Sequence, residues 1–202
     1  MATNDDLFRG TKRQYWRLRA HGCNEPQRQR DQSWDYPKGA GGMANRNGGI
    51  ILGEEVNLSS DTYYRFVDSK IYRTYGEKSC FGNWWISYEV MVAVAGHTAK
   101  AGGSLDDAAN AGYLLALVDE WGDRKWLAKA LLRQQLRAWM GRGNVAAGQG
   151  GRYIPPQHRK DILQLFVPGD RTLLERAFHT PRYELSNSAL GSGFIGGRLS
   201  FA

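Results

Sequence analysis

The amino-acid sequence predicts an α+β fold, a single domain built on a twisted antiparallel sheet. β-prone runs such as "YYRFV" (63–67) and "DILQLFVPGD" (161–170) flank a helix-forming region. That region, 104–140, is typical of an antiparallel helix pair inserted between strands. With 202 residues and 42% hydrophobic content, the chain is long enough to bury one real core.

Residues 1–49 form a polar, basic arm ahead of the α+β domain at 50–202. Segment 7–20 predicts a short helix with scattered apolar anchors, and the Gln-, Arg- and Gly-rich stretch after it predicts a loop. A segment of this composition does not fold alone. Its tryptophans therefore predict that the arm docks, either on the rest of the chain or on a partner.

The β-prone segments begin after the arm. Residues 49–58 predict a strand, and the runs at 63–67 and 71–75 are spaced as a β-hairpin whose side chains alternate between two faces. The apolar run 83–95 fits either a strand or a buried helix.

The helix pair is predicted from its caps and its apolar stripes. Ser104 is a good N-cap for a helix over 104–121, and Gly122 ends that helix. Asp123 is the N-cap expected for a second helix, over 123–141, with its basic residues mostly on the outer face. Beyond a Pro-Pro loop, we expect a strand at 161–170, a short helix at 171–178 and a final strand at 191–202.

Composition narrows the class of protein. A formal net charge of +7 favours a polyanionic partner, such as nucleic acid, an acidic protein or a phosphate-bearing cofactor. Cys23, Cys80 and four scattered histidines lack the spacing of metal ligands, so no metal site is expected. Without an N-terminal apolar run or a membrane-spanning stretch, we expect a soluble, cytoplasmic chain with no membrane partner.

Several common catalytic motifs are missing from the sequence. It has no GxxxxGK[ST] phosphate loop, no HExxH, no GxSxG and no zinc-deaminase signature. The glycine-rich "GSGFIGG" at 191–197 follows no clear strand and opens no helix, so it is a weak dinucleotide fingerprint.

Two arginines in aromatic strands point to a binding site. A guanidinium at such a position must reach water or an anion, and this applies to Arg65 and Arg73. Either both point outward from a half-exposed sheet, or one binds a diphosphate while an aromatic neighbour stacks on a flat ring. The following "FGNWWISYE" (81–89) adds an amide, two indoles, a hydroxyl and a carboxylate.

An arginine on an early aromatic strand, a later hydroxyl-bearing strand and a distal acidic or amide residue resemble the ground plan of ADP-ribosyltransferase-like domains. The chain also resembles C-terminal domains of bacterial polymorphic toxins. "LFRGT" (7–11) is similar to the opening of some transferases, which makes Arg9 a rival arginine. The toxin-like positions are Tyr64-Arg65, Gly82, Trp84-Trp85, Val167-Pro168-Gly169 and 193–201.

The resemblance has gaps. The sequence has no Ser-Thr-Ser run, for which Ser59-Ser60 is the nearest substitute, and no ExE pair before the Pro-Gly turn. Asp161 and Gln164 stand near the place where the acidic residue is expected.

The resemblance implies an NAD-consuming toxin or effector, an ADP-ribosyltransferase or NAD glycohydrolase. NAD would be its substrate, a nucleic acid or a protein its target, and an antitoxin or immunity protein its cognate partner. The resemblance implies that Arg65 or Arg73 clamps the diphosphate, and that Trp84 or Tyr64 contacts a ring, with Asn83 beside them. Ser87 would shape the nicotinamide pocket. Glu89 or Gln164 would act in catalysis at the ribose.

Two other functions fit the same residues. The basic arm, the arginines and the aromatics are typical of a non-enzymatic nucleic-acid-binding protein. A polar arm that orders only against a partner is typical of a phage or other assembly protein.

Overall fold

The computed structural model describes residues 1–106, 122–148, 153–154 and 159–200. The strands of its main sheet are β3 Ile50–Leu58, β4 Thr62–Val67, β5 Trp84–Ser87, β6 Trp126–Leu132, β7 Leu136–Gly143, β10 Gln164–Phe166 and β11 Phe178–Leu185. They form one seven-stranded antiparallel sheet in the order β11-β6-β4-β5-β10-β7-β3. Two small ladders pair β1 Gln27–Arg28 with β2 Trp34–Asp35, and β8 Ala146–Ala147 with β9 Tyr153–Ile154.

Helices cover both faces of the sheet. They are α1 Gly10–Ala20, α2 Ser69–Tyr75, α3 Tyr88–Lys100, α4 Arg171–Ala177 and α5 Ser186–Ala189. Three of them begin at side-chain caps: Asp68, Ser87 and Asp170 each accept a backbone N–H from the first turn. One antiparallel sheet covered by several helices confirms the predicted α+β class.

The two faces carry separate apolar cores. On one face, Tyr63, Trp85 and Phe178 pack under α4, and the Trp85 and Phe178 rings stack at 3.9 Å. Side chains alternate along a strand, so Tyr64 and Ile86 point to the other face, where α3 covers them. Helix α1 covers a third cluster, around Trp139 and Phe166.

The second predicted helix, over 123–141, is wrong: the chain forms the hairpin β6–β7 there. Strand β6 is buried on both faces, so its apolar residues run almost without interruption and do not alternate. Such a run cannot be told from a buried helix by periodicity. The first predicted helix lies mostly outside the described residues, since 107–121 are not among them.

Three other segments differ from the sequence prediction. The run 71–75 belongs to helix α2, because Asp68 caps its first turn, so no hairpin forms with β4. The run 83–95 contains both alternatives, strand β5 followed by helix α3. Through residue 200 the predicted final strand consists of turns and irregular chain, and the edge position is taken by β11, which the sequence did not predict.

The N-terminal arm lies against the sheet. Asn4 is fully buried: its side-chain amide donates to the carbonyls of Arg137 and Pro168 and accepts the N–H of Arg137. The Phe8 ring stacks on Trp139 at 4.3 Å, just before α1, which forms most of the helix predicted over 7–20. Cys23 and Cys80 are both buried free thiols. No helix in the described ranges is both long and apolar enough to cross a membrane.

Candidate functional site

A cleft of about 340 Å³ opens where strands β4 and β5 separate. Their pairing stops at Tyr64–Ile86, and from Arg65 onward β4 pairs only with β6. The gap leaves the end of β4 and the start of β5 on opposite walls, and the arm closes the outer side. The lining comprises Arg19, Gly22, Asn24, Asn47, Gly49, Arg65, Phe66, Val67, Asp68, Ile71, Trp84, Trp85, Ile86, Arg124, Gln164 and Phe166.

Arg65 spans this gap. Its Nη1 donates to the backbone carbonyl of Trp84 at 3.2 Å, while its buried Nε has no hydrogen-bond partner. The guanidinium lies directly under Gly82, where any Cβ would collide with it. Burial lowers the pKa of Arg65 from its ordinary value. Gly82 therefore leaves the space that a half-buried and incompletely bonded arginine occupies.

Two further arginines line the cleft. Arg19, from the end of α1, donates to the backbone carbonyl of Asn24. Arg124 is only 4% exposed and donates to the carbonyl of Gly122 at 2.7 Å. Neither Arg19 nor Arg65 forms an ion pair with a carboxylate in the described ranges. The cleft therefore holds positive charge that carboxylates of these ranges do not neutralise.

Among the described lining residues, Asp68 supplies the carboxylate, and both of its oxygens already accept hydrogen bonds from the backbone. One oxygen of Asp68 caps α2 by accepting from Lys70 and Ile71, and the other accepts the N–H of Asp123 at 2.8 Å. Asp68 therefore holds backbone in place and is not directed at a ligand.

Aromatic and amide groups complete the walls. The half-buried Trp84 ring meets Phe166 edge-on at 5.0 Å, and Phe66 lines the wall formed by β4. Asn24 and Gln164 also line the cleft, as does Asn47, whose amide is held by the backbone of Ala147. Flat apolar surface beside guanidinium groups suits a ligand that has both a ring and a negative charge.

Only some of the predicted binding residues line the cleft. Arg65 and Trp84 line the cleft, whereas Tyr64 lies in the core, where its hydroxyl donates to the carbonyl of Ile195. Asn83 uses its amide to hold the carbonyls of Val167 and Gly169. The expectation that Arg73 lies in a strand is wrong: it is exposed on α2 and does not line the cleft.

The predicted catalytic residues are also separated. Gln164, which is 7% exposed, lines the cleft. Ser87 caps α3 three residues along β5 from Trp84, about 10 Å away at roughly 3.3 Å per residue. The exposed Glu89 pairs with Arg198, and its own backbone N–H, followed by that guanidinium, holds the pKa of its carboxyl below the usual range. Ser87 and Glu89 therefore face a different end of the sheet.

Sequence reasoning missed Arg19, Asn47 and Arg124. They come from a helix end, an arm loop and the turn before β6, far apart in the chain. The one unusual local feature among the three is the backbone at Arg124, whose φ is 47°, two residues after Gly122, which also has a positive φ. This feature exists only in the folded backbone. The rival arginine of the sequence analysis, Arg9, is exposed where α1 begins.

Comparison of the chain with family models, with curated proteins and with solved structures gave no match in any of the three.

Proposed function

We propose that this chain binds a phosphorylated ligand that carries an aromatic ring, a nucleotide, in the cleft between β4 and β5. The observation that carries the proposal is the positive charge of Arg65 and Arg19 on the cleft walls, without a carboxylate partner in the described ranges. A half-buried cation is costly unless an anion or water reaches it. Trp84 and Phe66 supply the surface for the ring.

NAD is the first candidate ligand, because the sequence resembles ADP-ribosyltransferase-like domains. NAD binding fits Arg65 and Trp84, the two sequence-predicted binding residues that line the cleft. Gln164, a sequence-predicted catalytic residue, lines the cleft beside them. Transfer of ADP-ribose, toxicity and a cognate immunity protein remain predictions from the resemblance. If NAD is consumed, Ser87→Ala and Glu89→Gln should leave nicotinamide release unchanged, because both residues lie away from the cleft.

The test is calorimetric titration with NAD, ADP, inorganic pyrophosphate and uncharged adenosine at low salt. We expect NAD and ADP to bind and adenosine to bind at least about tenfold more weakly, since a hydrogen bond to a charged group contributes about 1.5–3 kcal/mol. Arg65→Gln and Arg19→Gln should each weaken ADP binding by about tenfold or more. Trp84→Leu should weaken ADP but not pyrophosphate.

Arg73→Gln is the matched control, because it removes one exposed arginine of helix α2, outside the cleft. It should bind ADP like the wild type. The proposal fails if no phosphorylated compound binds, or if Arg19→Gln, Arg65→Gln and Arg73→Gln have equal affinities. Thermal melting of each variant shows whether it is folded.

A further inference from the structure

The arm presents a second group of cations beside the cleft, named here the arm surface. Its members are all exposed: Arg17, Arg28, Arg30, Lys38 and Arg46. None of the five forms an ion pair with a carboxylate of the described residues. By contrast, Lys12 and Arg13 on the same arm pair with Asp6 and Glu55. The arm surface therefore carries positive charge that no carboxylate of the described residues pairs.

Two of these cations come from different segments and meet around His21. Burial, followed by the charges of Arg17 and then Arg46, lowers the pKa of His21. Burial raises the pKa of Tyr36, and the nearby Arg46 partly offsets this effect. Like charges brought together by folding repel one another, so their proximity is stabilised when an anion lies over them.

The hairpin β1–β2 adds an aromatic ring to the arm surface. The Arg28 guanidinium lies 5.3 Å from the ring centre of Trp34, and that ring meets Tyr15 edge-on at 4.8 Å. The backbone N–H of Trp34 donates to Gln14, which fixes the hairpin on α1. Arginine beside tryptophan is the combination with which proteins hold single-stranded nucleic acids.

The arm surface is continuous with the cleft. Arg19, Asn24 and Asn47 belong to the arm and line the cleft. Asn47 directly follows Arg46, and its amide is fixed by Ala147, donating to that carbonyl and accepting that N–H. A chain of phosphates on the arm surface thus leads to the cleft mouth.

We infer that the ligand class is single-stranded nucleic acid, with its phosphates on the arm surface and one nucleotide in the cleft. This inference rests on the proposed function, because the cleft must first accept a nucleotide. A cleft of about 340 Å³ at a gap in the sheet has room for an unstacked base, which a duplex does not offer. The net charge of +7 supplies the long-range attraction.

The test is fluorescence anisotropy with labelled single strands of about eight nucleotides, in RNA and DNA forms, and the corresponding duplex. Single strands should bind at least about tenfold more tightly than ADP. The logarithm of their binding constant should fall with the logarithm of the salt concentration, with a slope of about 0.7 for each phosphate contact. Arg17→Glu with Arg46→Glu should remove this gain and lower the slope, while changing ADP affinity at moderate salt far less than single-strand affinity. Comparison of the RNA strand with the DNA strand identifies the preferred sugar.

The control pair is Lys100→Glu with Arg176→Glu, two exposed cations on α3 and α4 away from the arm. It changes the net charge equally and should keep single-strand affinity within about twofold at moderate salt, where distant charges are screened. The inference is overturned if ADP binds but single strands bind no more tightly, or if duplex binds equally and Trp84→Leu has no effect. Equal competition by polyglutamate also overturns it, in favour of an acidic protein partner. Failure of ADP itself to bind is the separate failure of the proposed function.

Discussion

At the scale of single residues, we expect the half-buried His21 to make the stability of this fold depend on pH in the mildly acidic range. Its buried Nε2 has no hydrogen-bond partner and lies against Gly53, where a Cβ would come within 3.3 Å. Burial, Arg17 and Arg46 together lower its pKa from 6.5. The folded protein therefore holds His21 neutral at pH values at which the unfolded chain protonates it.

The sign of the pH dependence follows from linkage. A histidine whose pKa is lower in the folded state stabilises the fold above about pH 6.5, and this stability is lost as pH falls toward the folded pKa. We expect the free energy of unfolding to decrease between pH 7.5 and 5.5 in denaturant titrations, with a smaller decrease in His21→Gln. Identical slopes in the wild type and His21→Gln would contradict this role.

At the same scale, the sequence located part of the candidate site. Arg65 was predicted because a guanidinium within an aromatic strand needs water or an anion, and Trp84 because its ring could stack on a ligand; both line the cleft. Ser87 and Glu89 were predicted from the resemblance to ADP-ribosyltransferase-like domains, but they lie at the start of α3 and do not line the cleft. Arg19 and Arg124 lie far in sequence from β4 and β5, and only the fold brings them to the cleft, which no local pattern encodes.

At the scale of elements, Asp68 joins helix α2 to the entry of β6. It caps the helix through Lys70 and Ile71 and accepts the N–H of Asp123, whose own carboxylate accepts the N–H of Ser69. The two aspartates thus fix each other's backbone. This reciprocal arrangement sets the end of β4 and with it one wall of the cleft.

We expect Asp68→Ala to lower the free energy of unfolding by about 2 kcal/mol, one part from the lost cap and one from the lost bond to Asp123. Asp170→Ala is the matched control, since Asp170 caps α4 through the N–H of Leu173 alone. It should cost about 1 kcal/mol in the same urea titration. Equal losses in the two variants would show that the link to Asp123 contributes nothing.

The predictability of the elements followed the strength of their local signals. Helix α4 and the strand before it were predicted because Asp170 and the Pro-Gly turn are explicit boundaries. The hairpin β6–β7 was missed because its connection, 133–135, contains no glycine, proline or asparagine, and its strands contain good helix formers. Tertiary burial decided these strands: Leu127 packs on one face and Ala128 on the other.

At the scale of the whole molecule, the arm acts as part of the core. Phe8 is 5% exposed between the Trp139 ring and the Arg137 guanidinium, which lies 4.4 Å from its ring centre. Arg137 in turn pairs with Glu55 of β3 and with Asp5 of the arm. These contacts connect the arm to β3 and β7, so the arm and the sheet should unfold together.

We therefore expect Phe8→Ala to lower the free energy of unfolding by about 3–5 kcal/mol and Phe8→Leu by less than about 1.5 kcal/mol. Val92→Ala, at a side chain 42% exposed on α3, should change it little. Hydrogen exchange distinguishes a shared core from a loosely attached arm, because in a shared core Phe8→Ala accelerates exchange of the β7 amides as well as those of α1. Faster exchange confined to α1, with an unchanged urea midpoint for the sheet, would show that the arm folds onto a domain already complete without it.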